Sequence, residues 1–145
     1  MIVLNSTRVP AEYLQPLDEI AEIVQPDEGN FSRDEMLQIA ASQTVVGLIV
    51  PGEEQIDSTF LDAMPDLRII ANTAVGFDNL PLDELTRRGI QATNTPDSFV
   101  HATADLTLGL LLAVARKIVV GDRYVRSGEW PRQVGRSSFW EGMEL

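Results

Sequence analysis

The chain contains no cysteine, which excludes disulfides, thiolate nucleophiles and cysteine–zinc sites. Histidine occurs once, as His101, so no histidine-based metal cluster can form within one chain. Basic residues are scarce: Lys plus Arg total 11 against 22 Asp plus Glu, a formal net charge of −11. The basic face that phosphate contacts require is missing, so neither nucleic acid nor an anionic membrane surface is expected as a partner. The longest uncharged apolar run, residues 106–115, is too short to span a bilayer. The N-terminus lacks the basic segment and apolar run of a secretory signal. The expectation is a soluble, cytoplasmic protein.

What is present suits one domain: 145 residues, 44% apolar and 23% charged, enough for a packed core. Strand-like runs alternate with amphipathic segments. Residues 2–5, 22–24, 45–50, 67–71 and 90–93 read as strands, and the continuous apolar run 45–50 reads as a central parallel strand covered on both faces. Between them, Pro10 opens a helix over residues 11–20 with Leu14, Leu17 and Ile20 on one face. Ser32 and Asp57 are placed to cap the next two helices. A fourth helix opens at Asn79 and Pro81, with Asp83 and Glu84 near its start, Arg87 and Arg88 near its end, and Gly89 just past it. Five strands alternating with four helices predict a doubly wound parallel α/β sheet. Ligands on such sheets bind beyond the carboxyl ends of the strands, which selects residues 5–8, 51–55, 72–77 and 94–98.

After Pro96 the pattern changes. Residues 98–126 read as one long helix, with Leu106, Leu108, Leu110, Leu111, Leu112 and Val114 spread over more than one face. A small sheet can cover only one of those faces, so the rest predict an interface, most simply a homodimer. The tail, residues 127–145, carries Trp130, Phe139 and Trp140 without periodicity and is expected to lie across the partner.

Several familiar chemistries have no residues to carry them. The loop after the first strand, residues 5–10, has no glycine for a flavin phosphate, and Asn5 and Pro51 stand where a phospho-acceptor receiver needs acids. No glycine-rich dinucleotide fingerprint, P-loop or Gly-x-Ser-x-Gly elbow occurs in the sequence.

A series of ordered elements gives the sequence its direction. Asn72-Thr73-Ala74-Val75-Gly76-Phe77-Asp78-Asn79 is followed by Leu82-Asp83, Arg88-Gly89-Ile90, Asn94-Thr95-Pro96, Ala104-Asp105 and the run from Leu110 to Arg116. In order and spacing this resembles the D-isomer-specific 2-hydroxyacid dehydrogenases, most closely their glyoxylate/hydroxypyruvate reductase branch. Gly128-Glu129-Trp130 resembles a further family element.

The resemblance implies a flavodoxin-like substrate domain over residues 1–97, a long interdomain and dimerisation helix over 98–126, and a tail over 127–145 leading to an NAD- or NADP-binding Rossmann domain that has no counterpart here. It further implies hydride transfer between NAD(P)H and a small 2-oxo or 2-hydroxy acid. The family's catalytic Arg, Glu and His lie downstream of Leu145, so no catalytic residue is assigned in this chain, and the chain alone is expected to be inactive and to hold no bound cofactor. Val75 and Gly76 match the loop whose backbone N–H groups hold the substrate carboxylate; adjacent amides form an anion-binding concavity. Pro51 and Gly52 match the loop bordering the substrate. Thr103 matches a residue beside the nicotinamide ring, with Thr where many relatives have Val.

Plainer readings stand beside these. Gly76 is also a reasonable turn glycine after a strand, and Thr103 an ordinary helix residue. Asp83 and Glu84 suit a helix N-terminus better than a metal, and no metal is expected. His101 lacks a visible orienting partner and reads as a surface residue. Asn94-Thr95-Pro96 reads as a strand-to-helix turn and hinge. A non-enzymatic binding or dimerisation module on the same fold is the alternative function.

Overall fold

The structure, a computed structural model, describes residues 1–128. The tail residues Trp130, Phe139 and Trp140 lie outside the described residues, as does most of the Gly128-Glu129-Trp130 element. The chain divides into two compact units, Met1–Ser98 and Phe99–Leu145.

In the first unit the strands are β1 (Ile2–Asn5), β2 (Glu22–Val24), β3 (Val45–Val50), β4 (Ile69–Asn72) and β5 (Gln91–Thr93). Between them run α1 (Ala11–Asp18), α2 (Arg33–Ser42), α3 (Ser58–Asp62) and α4 (Leu82–Arg88). All strand pairs are parallel and the order is β2-β1-β3-β4-β5, the flavodoxin-type winding.

The apolar run of β3 has its large side chains fully buried on one face only, Val46 and Ile49 being half-buried, and its ladder has an irregularity. Ile2 pairs with Val45, but Val3 pairs with Gly47, so Val46 is an extra residue in the ladder. The shift keeps Val45, Leu48 and Val50 all buried, beside Ile2, Leu4 and Ile70. Against these pack Met36 of α2, Phe60 and Leu61 of α3 and Leu85 of α4. Gly47 faces the other way: a Cβ there would lie 3.1 Å from Val3 Cγ2 and 3.6 Å from Ile69 Cγ2. Burying one such Leu or Phe is worth about 1.5–3 kcal/mol, so this one-sided cluster is the main source of the unit's stability.

Local chemistry fixes the helix starts and stops. Ser32 and Glu35 form a reciprocal capping box, and the Asp57 carboxylate accepts from the Phe60 N–H at 2.8 Å. Gly89 ends α4 in the left-handed region at φ 69°, as expected of a glycine past a helix.

Several expected bounds need correction, among them that of β5, which begins at Gln91 rather than residue 90 because the Ile90 N–H turns back to the Leu85 carbonyl. Helix α1 stops at Asp18 rather than residue 20; Ile20 donates its N–H to the Leu17 carbonyl in a tight turn, which swings it off the helix face and leaves it 76% exposed. Strand β4 begins at Ile69, because Leu67 is buried in the preceding turn, its N–H bonded to Met64 O. Asn79 does not open α4: Pro81 is its N-cap, and Asn79 is buried.

In the second unit the single helix expected over residues 98–126 is interrupted. It forms α5 (Val100–Ala115) and α6 (Ile118–Arg126), separated where Lys117 takes a left-handed conformation, φ 54°. One left-handed residue turns the carbonyl direction and ends the right-handed hydrogen-bond ladder. Leu106, Leu108, Leu110, Leu111, Leu112 and Val114 of α5 are exposed, and Ala115 is buried. No described helix is long and apolar enough to cross a membrane.

Candidate functional site at the carboxyl ends of β3 and β4

Two loops leave neighbouring strands at the same edge of the sheet. The β3–α3 loop begins with Pro51 and Gly52, and the β4–α4 loop carries Ala74, Val75, Gly76 and Phe77. Backbone and packing join them. Thr73 donates both its N–H and its hydroxyl to the Val50 carbonyl, at 2.8 and 3.2 Å. A Cβ on Gly52 would lie 2.7 Å from the Ala74 Cβ, a separation real Cβ atoms do not reach. Glycine at 52 is thus required by close approach.

Beneath the loops lies a buried asparagine pair. Asn72, at the end of β4, and Asn79 are 1% and 3% exposed. Asn72 Nδ2 donates to the Gly76 carbonyl at 2.8 Å, and the two side-chain amides pair at 3.3 and 3.4 Å. Asn79 Nδ2 also donates to the Glu54 carbonyl at 3.0 Å, and the Asn79 carbonyl accepts from the Ile56 N–H. Buried amides are tolerated only when bonded, and here their bonding holds both loops.

The β4–α4 loop is also held from the next strand. Asn94, just past β5, donates its side-chain amide to the Val75 carbonyl at 2.8 Å, and the Thr95 N–H donates to the Ala74 carbonyl at 2.9 Å. Among the described residues, no protein acceptor takes the N–H of Val75 or of Gly76. Both residues are exposed, so the loop carries two adjacent amides without a protein acceptor among the described residues. Gly76 is not in the left-handed region; a Cβ there would meet Asp78 Oδ1 at 3.1 Å and would otherwise stand in open space. Beside the loop, Phe77, Leu80, Leu82, Ala92, Thr93 and Asn94 line an open apolar hollow of about 190 Å³.

The β3–α3 loop has a cationic clamp that the sequence does not announce. Arg33, at the start of α2, donates to the Gln55 carbonyl at 2.7 Å and pairs with Asp57 at 2.7 Å and Glu54 at 3.3 Å. Its guanidinium lies 4.7 Å from the centre of the Phe60 ring. The carboxyl group of Asp57 is held below the usual carboxylate range, chiefly by the Phe60 N–H and then by Arg33.

Pro51, Gly52, Val75 and Gly76 are therefore brought together at one sheet edge. Thr103 belongs to the first turn of α5 in the other unit, exposed, its N–H bonded to the Phe99 carbonyl and its carbonyl accepting from the Thr107 hydroxyl. His101 and Asp105 are likewise exposed on α5. Among the described residues, no three His, Asp or Glu side chains are grouped to hold a metal. Asn72 and Asn94 fall in the segments selected at the strand ends, and with Asn79 in the family pattern, but the sequence assigns them no role in the site; Arg33 has no signal in the sequence.

Known proteins match this chain over nearly its whole length. Residues 2–140 match the catalytic domain of the D-isomer specific 2-hydroxyacid dehydrogenases. The glyoxylate reductase of Thermococcus kodakarensis is 44% identical over 132 residues, covering 90% of this chain and 39% of the relative. That of Pyrococcus furiosus is also 44% identical, with the same coverage. A protein from Thermus thermophilus superposes with a TM-score of 0.79 at 37% identity, over 100% of this chain and 46% of its own. An NADPH-dependent glyoxylate/hydroxypyruvate reductase from Sinorhizobium meliloti, solved with NADP and malonate, gives 0.62 at 30% identity, over 94% and 41%. The chain spans about 39% of the length of its glyoxylate reductase relatives. With the matched residues covering nearly all of it, the chain belongs to the D-isomer-specific 2-hydroxyacid dehydrogenase family.

Proposed function

We propose that this chain forms the substrate-holding part of an oxidoreductase that reduces a small 2-oxo acid such as glyoxylate or hydroxypyruvate. The observation that carries the reading is the pair of N–H groups of the exposed residues Val75 and Gly76, without an acceptor among the described residues and next to buried bonded amides. Two adjacent N–H donors suit a carboxylate, and rigid support means little reorganisation is needed when it binds. Pro51 and Gly52, held against Ala74, border the same space.

In this reading residues 1–97 are the substrate domain and residues 98–126 connect it to a nucleotide-binding part. NAD(P)H supplies the hydride when bound. In the same reading the exposed Thr103 lies beside that cofactor's nicotinamide ring, and among the described residues there is no glycine-rich cradle for its phosphates. The chain's own contribution is therefore binding and orientation: the loop amides fix the carboxylate and so set where the oxo carbon lies.

The exposed leucines of α5 support pairing of this helix with a second copy. In the proposed assembly the enzyme is a cytoplasmic homodimer.

The test is NADH and NADPH oxidation with glyoxylate and hydroxypyruvate, using the natural polypeptide that carries these residues. Turnover with small 2-oxo acids is expected. No turnover with any of them would refute the reading.

A further inference from the structure

The carbonyls of three successive residues in the β4–α4 loop are each taken by a donor outside the loop's tip. Ala74 O accepts from the Thr95 N–H at 2.9 Å, Val75 O from Asn94 Nδ2 at 2.8 Å, and Gly76 O from Asn72 Nδ2 at 2.8 Å. No cis peptide occurs among the described residues. In a trans peptide the carbonyl and the following N–H point in opposite directions. Fixing these carbonyls therefore turns three N–H groups away from Thr95, Asn94 and Asn72: those of Val75, Gly76 and Phe77. None of the three donates to an acceptor among the described residues. We propose that Asn94 and Asn72 are positioning residues for carboxylate binding, and that the Phe77 N–H is a third donor beside those of Val75 and Gly76.

The inference rests on the reading of this loop as a carboxylate site and deepens it. Each asparagine acts on one peptide plane. Asn94 sets the Val75–Gly76 plane and hence the Gly76 N–H, and Asn72 sets the Gly76–Phe77 plane and hence the Phe77 N–H. Neither side chain touches the ligand. Asn72 is also locked by Asn79, itself bonded to the Glu54 carbonyl, so the aim of the loop is tied to the β3–α3 loop. Asn94 is the cleaner probe, because it is half-buried and, among the described residues, its side chain bonds to Val75 alone.

The test compares Asn94→Ala and Asn72→Asp with the natural polypeptide. Asn72→Asp keeps the shape and removes the donor. The readouts are KM and kcat for glyoxylate, the same constants for glycolaldehyde, which lacks the carboxylate, and the thermal midpoint. For Asn94→Ala we expect KM for glyoxylate to rise about tenfold with kcat changed less, and the glyoxylate-to-glycolaldehyde ratio of kcat/KM to fall about tenfold. A general folding defect would lower both substrates together and leave that ratio unmoved, which would overturn the proposal. Amide shifts on titration with oxamate give an independent readout. Shifts at Val75, Gly76 and Phe77 that weaken in Asn94→Ala support the proposal even if no 2-oxo acid is turned over, in which case the reductase reading alone fails. Absence of shifts at these three amides in the unsubstituted protein would overturn it.

Discussion

Gly52 and Ala74 approach so closely that a Cβ on the glycine would lie 2.7 Å from the alanine Cβ. The partner atom is a rigid methyl on a neighbouring loop, so neither side can yield without backbone movement. The substitution Gly52→Ala is expected to cost about 1–3 kcal/mol, the usual penalty for overpacking. Denaturant unfolding of the pair would measure it. A midpoint equal to that of the unsubstituted protein would show that the two loops are not pressed together.

Gly76 differs in kind. Its nearest neighbour to an added Cβ is the end of the flexible Asp78 side chain, at 3.1 Å, and its φ is not left-handed. Gly76→Ala should therefore leave the thermal midpoint almost unchanged. In the proposed carboxylate loop the added methyl would crowd the ligand, so KM for glyoxylate should rise about tenfold to a hundredfold. Loss of stability without loss of binding would contradict this.

Two helix N-termini make the fold sensitive to acid. Glu35 is held below its ordinary value of 4.5, first by the Ser32 N–H and then by the Ser32 hydroxyl; Asp57 is held below 3.8, first by the Phe60 N–H. A carboxyl group whose value is depressed on folding stabilises the folded state above its unfolded value. That stabilisation is lost as pH falls through the folded value. Stability should thus hold at neutral pH and decline below about 4.5, the ordinary Glu value. In Asp57→Asn with Glu35→Gln the acid limb should flatten, as read by thermal midpoints from pH 6 down to 3.

The exposed leucines of α5 should govern association. Leu108 and Leu112 lie one turn apart and are 58% and 45% exposed. Light scattering is expected to give twice the chain mass for the unsubstituted protein and the single mass for Leu108→Glu combined with Leu112→Glu. A unit mass for both would remove α5 from any self-interface.

Where a feature depended on neighbours in sequence, it was legible there. The run from Val45 to Val50, the caps at Ser32 and Asp57 and the stop at Gly89 each follow from a short window, and the structure has all of them. The family pattern also led to the right sheet. The break at Lys117 was not legible, because neither proline nor glycine stands there and a lysine in the left-handed region leaves no compositional mark. The carbonyl bonds of the candidate site were hidden for a different reason. Asn94 reaches Val75 and Asn79 reaches Glu54 across 19 and 25 positions, and no local pattern encodes a partner that far away. Arg33 likewise reads as an ordinary first-turn residue until the β3–α3 loop is folded against it.

The all-parallel strand order sets the sequence of events during folding. No hairpin is available, so every pairing waits for a crossover. Joining β1 to β3 brings Ile2 to Val45, closing a far longer loop than joining β3 to β4 or β4 to β5, whose crossovers hold only the short helices α3 and α4. Loop closure costs entropy before contacts return it. The β1–β2 crossover is short as well, so two halves, β1–β2 and β3–β4–β5, are expected to form first and the β1–β3 seam between them to close last. Pulse-labelled hydrogen exchange should find the Ile70 amide protected before that of Leu4.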